Sequence, residues 1–178
     1  MGEPILTNTP NTSSATSFVS REVWGPLVWR LFHGLADLSD RRDVLPLWHK
    51  ILTLTWQTIP CEMCQKHMYE YWTVTVGERF LPKRWSEMSG AQVREILRER
   101  WHRFHNAVNA RLDKPAWPDL NPVDPDLDRT ADLQICQEIF QTLRTEWDAI
   151  YTIRSTQSYK EWKSAVDLLI RLIAGGPN

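Results

Sequence analysis

Cysteine is scarce in this chain: 178 residues contain three, Cys61, Cys64 and Cys136. That excludes a small secreted module held by a disulfide scaffold, and the odd number leaves at least one thiol unpaired within a monomer. Charge of one sign is also missing. Lys and Arg total 21 against 22 Asp and Glu, a net charge of −1 with the signs interleaved, so the chain has no long-range field for nucleic acid or an anionic membrane. No apolar run is long enough to cross a bilayer, because charges interrupt each candidate within a few residues. Residues 1–19 lack Lys, Arg and an apolar core of signal-peptide length; rich in Thr, Ser, Asn and Pro, they read as a disordered polar tail. Neither a second Cys-x-x-Cys, the strong zinc signal, nor a stretch alternating cleanly enough for a sheet is present. What remains is a soluble, all-α chain long enough to bury a real core.

Apolar residues recur at helical spacing in six places. Val23, Trp24, Leu27, Val28, Leu31, Phe32 and Leu35 mark a first helix, with Ser20 as N-cap and Glu22 in its first turn. A second runs from about Val44 to Trp56, with Pro46 tolerated in its first turn. Pro60 suits the first position of a third, which carries Cys61 and Cys64 and runs to about Trp72. Gly77 to Pro82 reads as a loop, and Ser89 with Gln92 makes a capping box opening a fourth helix to about Leu112. The run Pro118-Asp-Leu-Asn-Pro-Val-Asp-Pro-Asp is a linker or irregular loop. Leu133 to Tyr151 forms a fifth helix, Ser158 and Glu161 cap a sixth, and Gly175-Gly-Pro177 ends it.

Three sets of residues carry chemistry. The first is Pro60-Cys-Glu-Met-Cys64: thiols three apart on a helix share a face, and the helix N-terminus stabilises a thiolate, so the pair suits a redox dithiol. The same spacing serves zinc, with His67, His102 or His105 as further ligands. A thioredoxin-type site is disfavoured, since that fold needs strands around its motif. The second set is on the first helix, where Arg21, Gly25, Trp29 and His33 are successive i, i+4 neighbours. A mid-helix glycine costs about 1 kcal/mol against alanine, so something needs to come close to the backbone there. The third is His105-Asn-Ala-Val-Asn109. Two amides within one turn weaken a helix unless they meet partners, and with His105 they offer a polar face for a buried heterocycle; a merely solvated face is the plainer alternative. Ten tryptophans supply core filler for the most part, and walls for a flat ligand.

Together these sets resemble the Erv/ALR family of FAD-linked sulfhydryl oxidases. The matching residues are Arg21-Glu-Val-Trp-Gly25-Pro-Leu-Val-Trp29 with His33, then Pro60-Cys-Glu-Met-Cys64 with His67, then His105-Asn-Ala-Val-Asn109 with Leu112 and Lys114, across residues 20–118. They are similar to the short forms carried by large cytoplasmic DNA viruses. The resemblance implies a four-helix bundle with a short fifth helix, bound FAD, a homodimer, and electron transfer from protein dithiols to molecular oxygen, giving hydrogen peroxide. It implies that Cys61 is the outer, interchange cysteine and that Cys64 faces the flavin. Arg21, Trp24, Gly25, Trp29 and His33 would border the cofactor, as would His67. His105, Asn106, Val108, Asn109, Leu112 and Lys114 would hold its adenine, ribose and phosphates, with Trp117 beside them. On this reading residues 1–19 are a tail, 20–118 the FAD domain, 119–130 a linker and 131–178 a C-terminal helical pair.

Two departures from the family pattern follow. Many relatives carry a shuttle disulfide in a flexible tail and a structural disulfide around the His-Asn motif; here the positions near His102 and Trp117 hold no cysteine. Substrate thiols must then reach Cys61 directly or through a separate carrier protein. The second departure is the helical pair itself, which pads the bundle, widens a dimer contact or docks a partner. Cys136, on the apolar flank of its helix, is expected to be buried and inert. The lack of targeting signals points to the cytoplasm of a host, or a virion, as the setting. The competing reading is a small helical zinc-binding or scaffold protein.

Overall fold

The apolar stripes in the sequence become buried helix faces, apart from Val23 and Ile135, which are exposed. The structure, a computed structural model, describes residues 20–75, 82–118, 120, 128–151 and 156–175. Among them are six α-helices and no strand. They are α1 (Arg21–Leu38), α2 (Leu45–Thr58), α3 (Glu62–Glu70), α4 (Gly90–Arg111), α5 (Arg129–Tyr151) and α6 (Gln157–Ala174). The 1–19 tail, Gly77, most of the 119–130 linker and the terminal Gly176-Pro177 lie outside the described residues. Among the described residues no helix is long and apolar enough to cross a membrane.

Two helix starts follow the expected cap. The Ser20 hydroxyl accepts the Glu22 N–H at 3.2 Å. At α4 the Ser89 hydroxyl accepts from the Gln92 N–H (3.3 Å) while the Gln92 side chain accepts from the Ser89 N–H (2.8 Å), a reciprocal capping box. Two other starts are displaced. Pro60 is not the first residue of α3; Cys61 is its N-cap, with φ −157° and ψ 103°, and the helix begins at Glu62. The cause is local: the Cys61 N–H (2.7 Å) and the Gln65 side-chain amide (2.8 Å) both donate to the Ile59 carbonyl, which holds Cys61 extended. At α6 the N-cap is Thr156 instead of Ser158, its hydroxyl accepting the Tyr159 N–H at 3.3 Å. Tyr159 thereby enters the first turn and is buried, and the Ser158 hydroxyl bonds Gln57 of α2 at 3.0 Å. The third helix also ends early: past Glu70 the chain winds as a π-helical turn, Tyr71–Thr75. The short fifth helix expected within 20–118 is not found among the described residues, where Lys114–Pro118 is non-helical.

α1 packs against α4 and α5, α2 against α3 and α6, and α5 against α6. The C-terminal helices therefore cover faces of α1 and α2, and share one continuous buried cluster with them. Aromatic rings carry much of that seam. Trp24 of α1 meets Trp147 of α5 edge-on at 6.0 Å, and Trp147 lies 4.8 Å from Trp162 of α6. Trp162 donates its indole N–H to the Thr55 hydroxyl of α2 at 2.9 Å, so a polar bond fixes the register of an otherwise apolar contact. Arg129 opens α5 by donating to both Asp40 carboxylate oxygens (2.8 and 3.1 Å) and the Leu38 carbonyl (3.1 Å). Two glycines permit close approach. A Cβ at Gly34 would lie 2.7 Å from the Cys136 sulfur of α5, and one at Gly90 would overlap the Asp40 carbonyl.

Candidate functional site

The three chemistry-bearing sets converge on one cleft of about 1210 Å³ running along α1. The ridge residues Arg21, Gly25, Trp29 and His33 line it from α1, as does Trp24. Cys64 and His67 line it from α3, and His105, Val108 and Asn109 from α4, with Leu112, Lys114 and Trp117 just beyond. One residue expected at the cofactor does not line it: Asn106 is engaged with the chain that follows α4. Cys61, expected to face outward, also lies off the wall.

Cys61 and Cys64 form a disulfide, with Cα atoms 5.1 Å apart. Because Cys61 is the N-cap, its sulfur accepts the Cys64 backbone N–H at 3.2 Å. The free N–H groups of the first turn place partial positive charge beside both sulfurs, which favours a thiolate once the bond opens. The two sulfurs are not equivalent, since Cys64 belongs to the cleft wall and Cys61 does not.

Further along the cleft, aromatic rings form a layered cluster. Trp29 and His105 are stacked at 4.1 Å with 4° between planes, His105 and Trp117 at 4.7 Å with 25°, and His33 lies 5.8 Å from Trp117 at 11°. His33 Nε2 and His105 Nδ1 are 3.1 Å apart, so one ring donates and the other accepts. Burial pushes both imidazoles down to about 4, with the neighbouring histidines adding to the effect; both are neutral near pH 7. Each neutral ring keeps one further nitrogen for a ligand's polar edge.

Charge in the cleft is mostly positive at one end. Arg21, Arg111 and Lys114 line it, and Arg111 donates to the His67 ring. Burial, then the proximity of Arg21, holds the Arg111 guanidinium below its ordinary value. Among the described residues neither Arg111 nor Lys114 is paired with a carboxylate, which leaves cationic groups for an anion.

Two further observations concern what the cleft can hold. A Cβ at Gly25 would meet only Arg21 Cγ, at 4.0 Å, so no protein group comes close to the α1 backbone there. Trp101, which is fully buried and lines the cleft, has an indole N–H without a partner. A flat, polar-edged and anionic molecule fits these features: rings to lie against, neutral histidines, two cations without a carboxylate partner among the described residues, and room at a glycine. The volume exceeds the few hundred to about 1,000 Å³ usual for drug-sized ligands and suits a dinucleotide.

The sequence reading missed one wall. Asp132, Ile135, Cys136 and Ile139 of α5 close the far end of the cleft beside Gly34 and Asp37. The available signal was Gly34, a second mid-helix glycine that admits α5. Cys136 is buried there, and its thiol is pushed up to about 12 by burial, then by Asp132 and Asp37, so it is not a nucleophile at neutral pH. Among the described residues no three His, Cys, Asp or Glu side chains are grouped as a metal ion requires. Comparison with protein-family models, with curated proteins and with solved structures finds no match to this chain.

Proposed function

We propose that this protein is an FAD-dependent sulfhydryl oxidase that makes disulfides in protein substrates. The observation that carries the reading is the position of the Cys61–Cys64 disulfide, with Cys64 on the wall of a cleft whose rings, cations and open glycine suit FAD, and Cys61 off that wall. The resemblance of the three motifs to the Erv/ALR family supports it, and the four-helix arrangement of α1 to α4 belongs to the same reading.

The chain's own part is thiol chemistry. A substrate thiolate attacks the Cys61 sulfur; the Cys61–Cys64 bond breaks and Cys64 leaves as a thiolate. Its position at the third residue of α3 stabilises that charge. A second substrate thiolate attacks the mixed disulfide, releasing oxidised substrate and the Cys61 thiol. When bound, FAD supplies the acceptor for the electron pair of the reduced Cys61–Cys64 dithiol and passes it to oxygen as hydrogen peroxide. Trp29 and the two neutral histidines orient the cofactor, and the Cys64 wall excludes substrate from it.

No shuttle cysteine is available, so the substrate or a separate carrier protein engages Cys61 directly. A homodimer, if formed as in the resembled family, uses surfaces other than the faces of α1 and α2 that α5 and α6 cover. The experiment is direct: the purified protein should carry flavin absorbance and consume oxygen when given a dithiol. Cys64→Ser should keep the flavin and lose turnover. Colourless protein holding stoichiometric zinc would instead favour the metal-binding reading.

A further inference from the structure

The residues after α4 form a strap whose attachment the proposed chemistry does not use. α4 closes at its C-cap, Leu112, in a Schellman turn: the Lys114 N–H donates to the Asn109 carbonyl (2.9 Å) and the Asp113 N–H to that of Ala110 (3.3 Å), with Asp113 at φ 53°. This reverses the chain, which then runs back along α4. Three α4 side chains meet it in succession. Asn109 Nδ2 donates to the Pro115 carbonyl (3.1 Å), the Trp117 N–H donates to Asn106 Oδ1 (2.6 Å), and His102 Nε2 donates to the Pro118 carbonyl (2.8 Å). Residues 102, 106 and 109 share one helical face, so the clasp is built into the spacing. It also accounts for two asparagines in a helix interior, where they are otherwise unfavourable.

We propose that His102 is a positioning residue: with Asn106 and Asn109 it clasps residues 113–118 along α4, holding Trp117 as the wall that a bound FAD must pass to leave. Trp117 is 46% exposed, so core packing alone does not fix it; its place against His105 and His33 depends on the strap. No cysteine ties the strap down, so hydrogen bonds from α4 are its fastening. The clasp stands on this geometry, and its link to FAD rests on the reading of the cleft given above.

The test uses the full chain as wild type, His102→Ala and His102→Gln, since a glutamine amide can still donate to the Pro118 carbonyl. Release of loaded FAD into FAD-free buffer is followed by absorbance. Separately, flavin-free protein is exposed to trypsin and cleavage after Arg111, at the root of the strap, is timed. Losing one such hydrogen bond corresponds to roughly a three- to tenfold change. His102→Ala should therefore release FAD and be cut after Arg111 roughly three- to tenfold faster, and His102→Gln should restore both rates. Both variants should stay folded, His102→Ala losing no more than about 2–4 °C in Tm, because His102 is half-buried and outside the core. Wild-type cleavage in a folded His102→Ala overturns the clasp. Faster cleavage with unchanged FAD release overturns the gating of the ligand. A wild type that takes up no FAD overturns the cleft reading, and the cleavage rates still decide the clasp.

Discussion

Replacing Gly25 by alanine sets two consequences of the structure against each other. In the flavin-free chain the new methyl meets only Arg21 Cγ, at 4.0 Å, an ordinary contact. The substitution then acts through helix propensity alone and stabilises α1 by about 1 kcal/mol. For a chain of this size that raises Tm by about 2–4 °C. With FAD the sign reverses, because the methyl fills the space that lets a flat ligand lie against the helix backbone. Overpacking of this kind costs about 1–3 kcal/mol, or roughly a five- to hundredfold rise in Kd. Thermal melts of the flavin-free proteins and FAD titrations followed by flavin fluorescence measure the two effects separately. A lower Tm would mean that some protein group does crowd Gly25. A higher Tm with unchanged FAD affinity would mean that the glycine serves no ligand, and the argument from its open space would fail.

Gly90→Ala should be severely destabilising, by about 3 kcal/mol or more, because its Cβ overlaps the Asp40 carbonyl and backbone must move; urea unfolding reads the loss. Thr55→Val removes the acceptor of the buried Trp162 N–H and should cost about 1–3 kcal/mol, seen as a lower urea midpoint at unchanged slope. Stability should also depend on pH through His33 and His105, whose folded values of about 4 lie below the unfolded value of about 6.5. Protonation favours the unfolded chain, so their contribution is complete above about pH 6.5 and is lost as pH falls towards 4. For the half-buried His33 and the buried His105 the loss is on the order of a few kcal/mol. His105→Asn should flatten the pH dependence of urea unfolding across that window, and an unchanged slope would refute the assignment.

Much of this structure is legible in the residues. The stripes from Val23 to Leu35 and from Leu133 to Tyr151 are long and regular, and such faces have one low-energy way to be buried. The Ser89 and Gln92 box is complete within four residues, so its cap follows from local chemistry. The start at Pro60 is displaced by a bond between near neighbours, and the start at Ser158 by a distant partner. Cys61 is drawn out of the helix by the Ile59 carbonyl, and Tyr159 is drawn into it by burial against α5. Periodicity does not say that α1, α3 and α4 bring the three motif sets to one cleft; only the resemblance to the Erv/ALR family suggests it. The α5 wall was not legible either, since nothing in periodicity says which helix will cross Gly34. Asn106 shows the limit most clearly: a partnered amide was expected, but its partner is the backbone of Trp117, eleven residues downstream.

The central claim is that electrons enter at Cys61 and leave through Cys64 into a flavin bound in the cleft. An anaerobic titration of the purified, FAD-loaded protein with a dithiol tests it most directly. The account predicts that the dithiol bleaches the flavin absorbance of the wild type, that admitting oxygen restores it with release of hydrogen peroxide, and that Cys64→Ser holds the flavin unbleached. Flavin that bleaches equally in Cys64→Ser, or a wild type that binds no flavin, would contradict it.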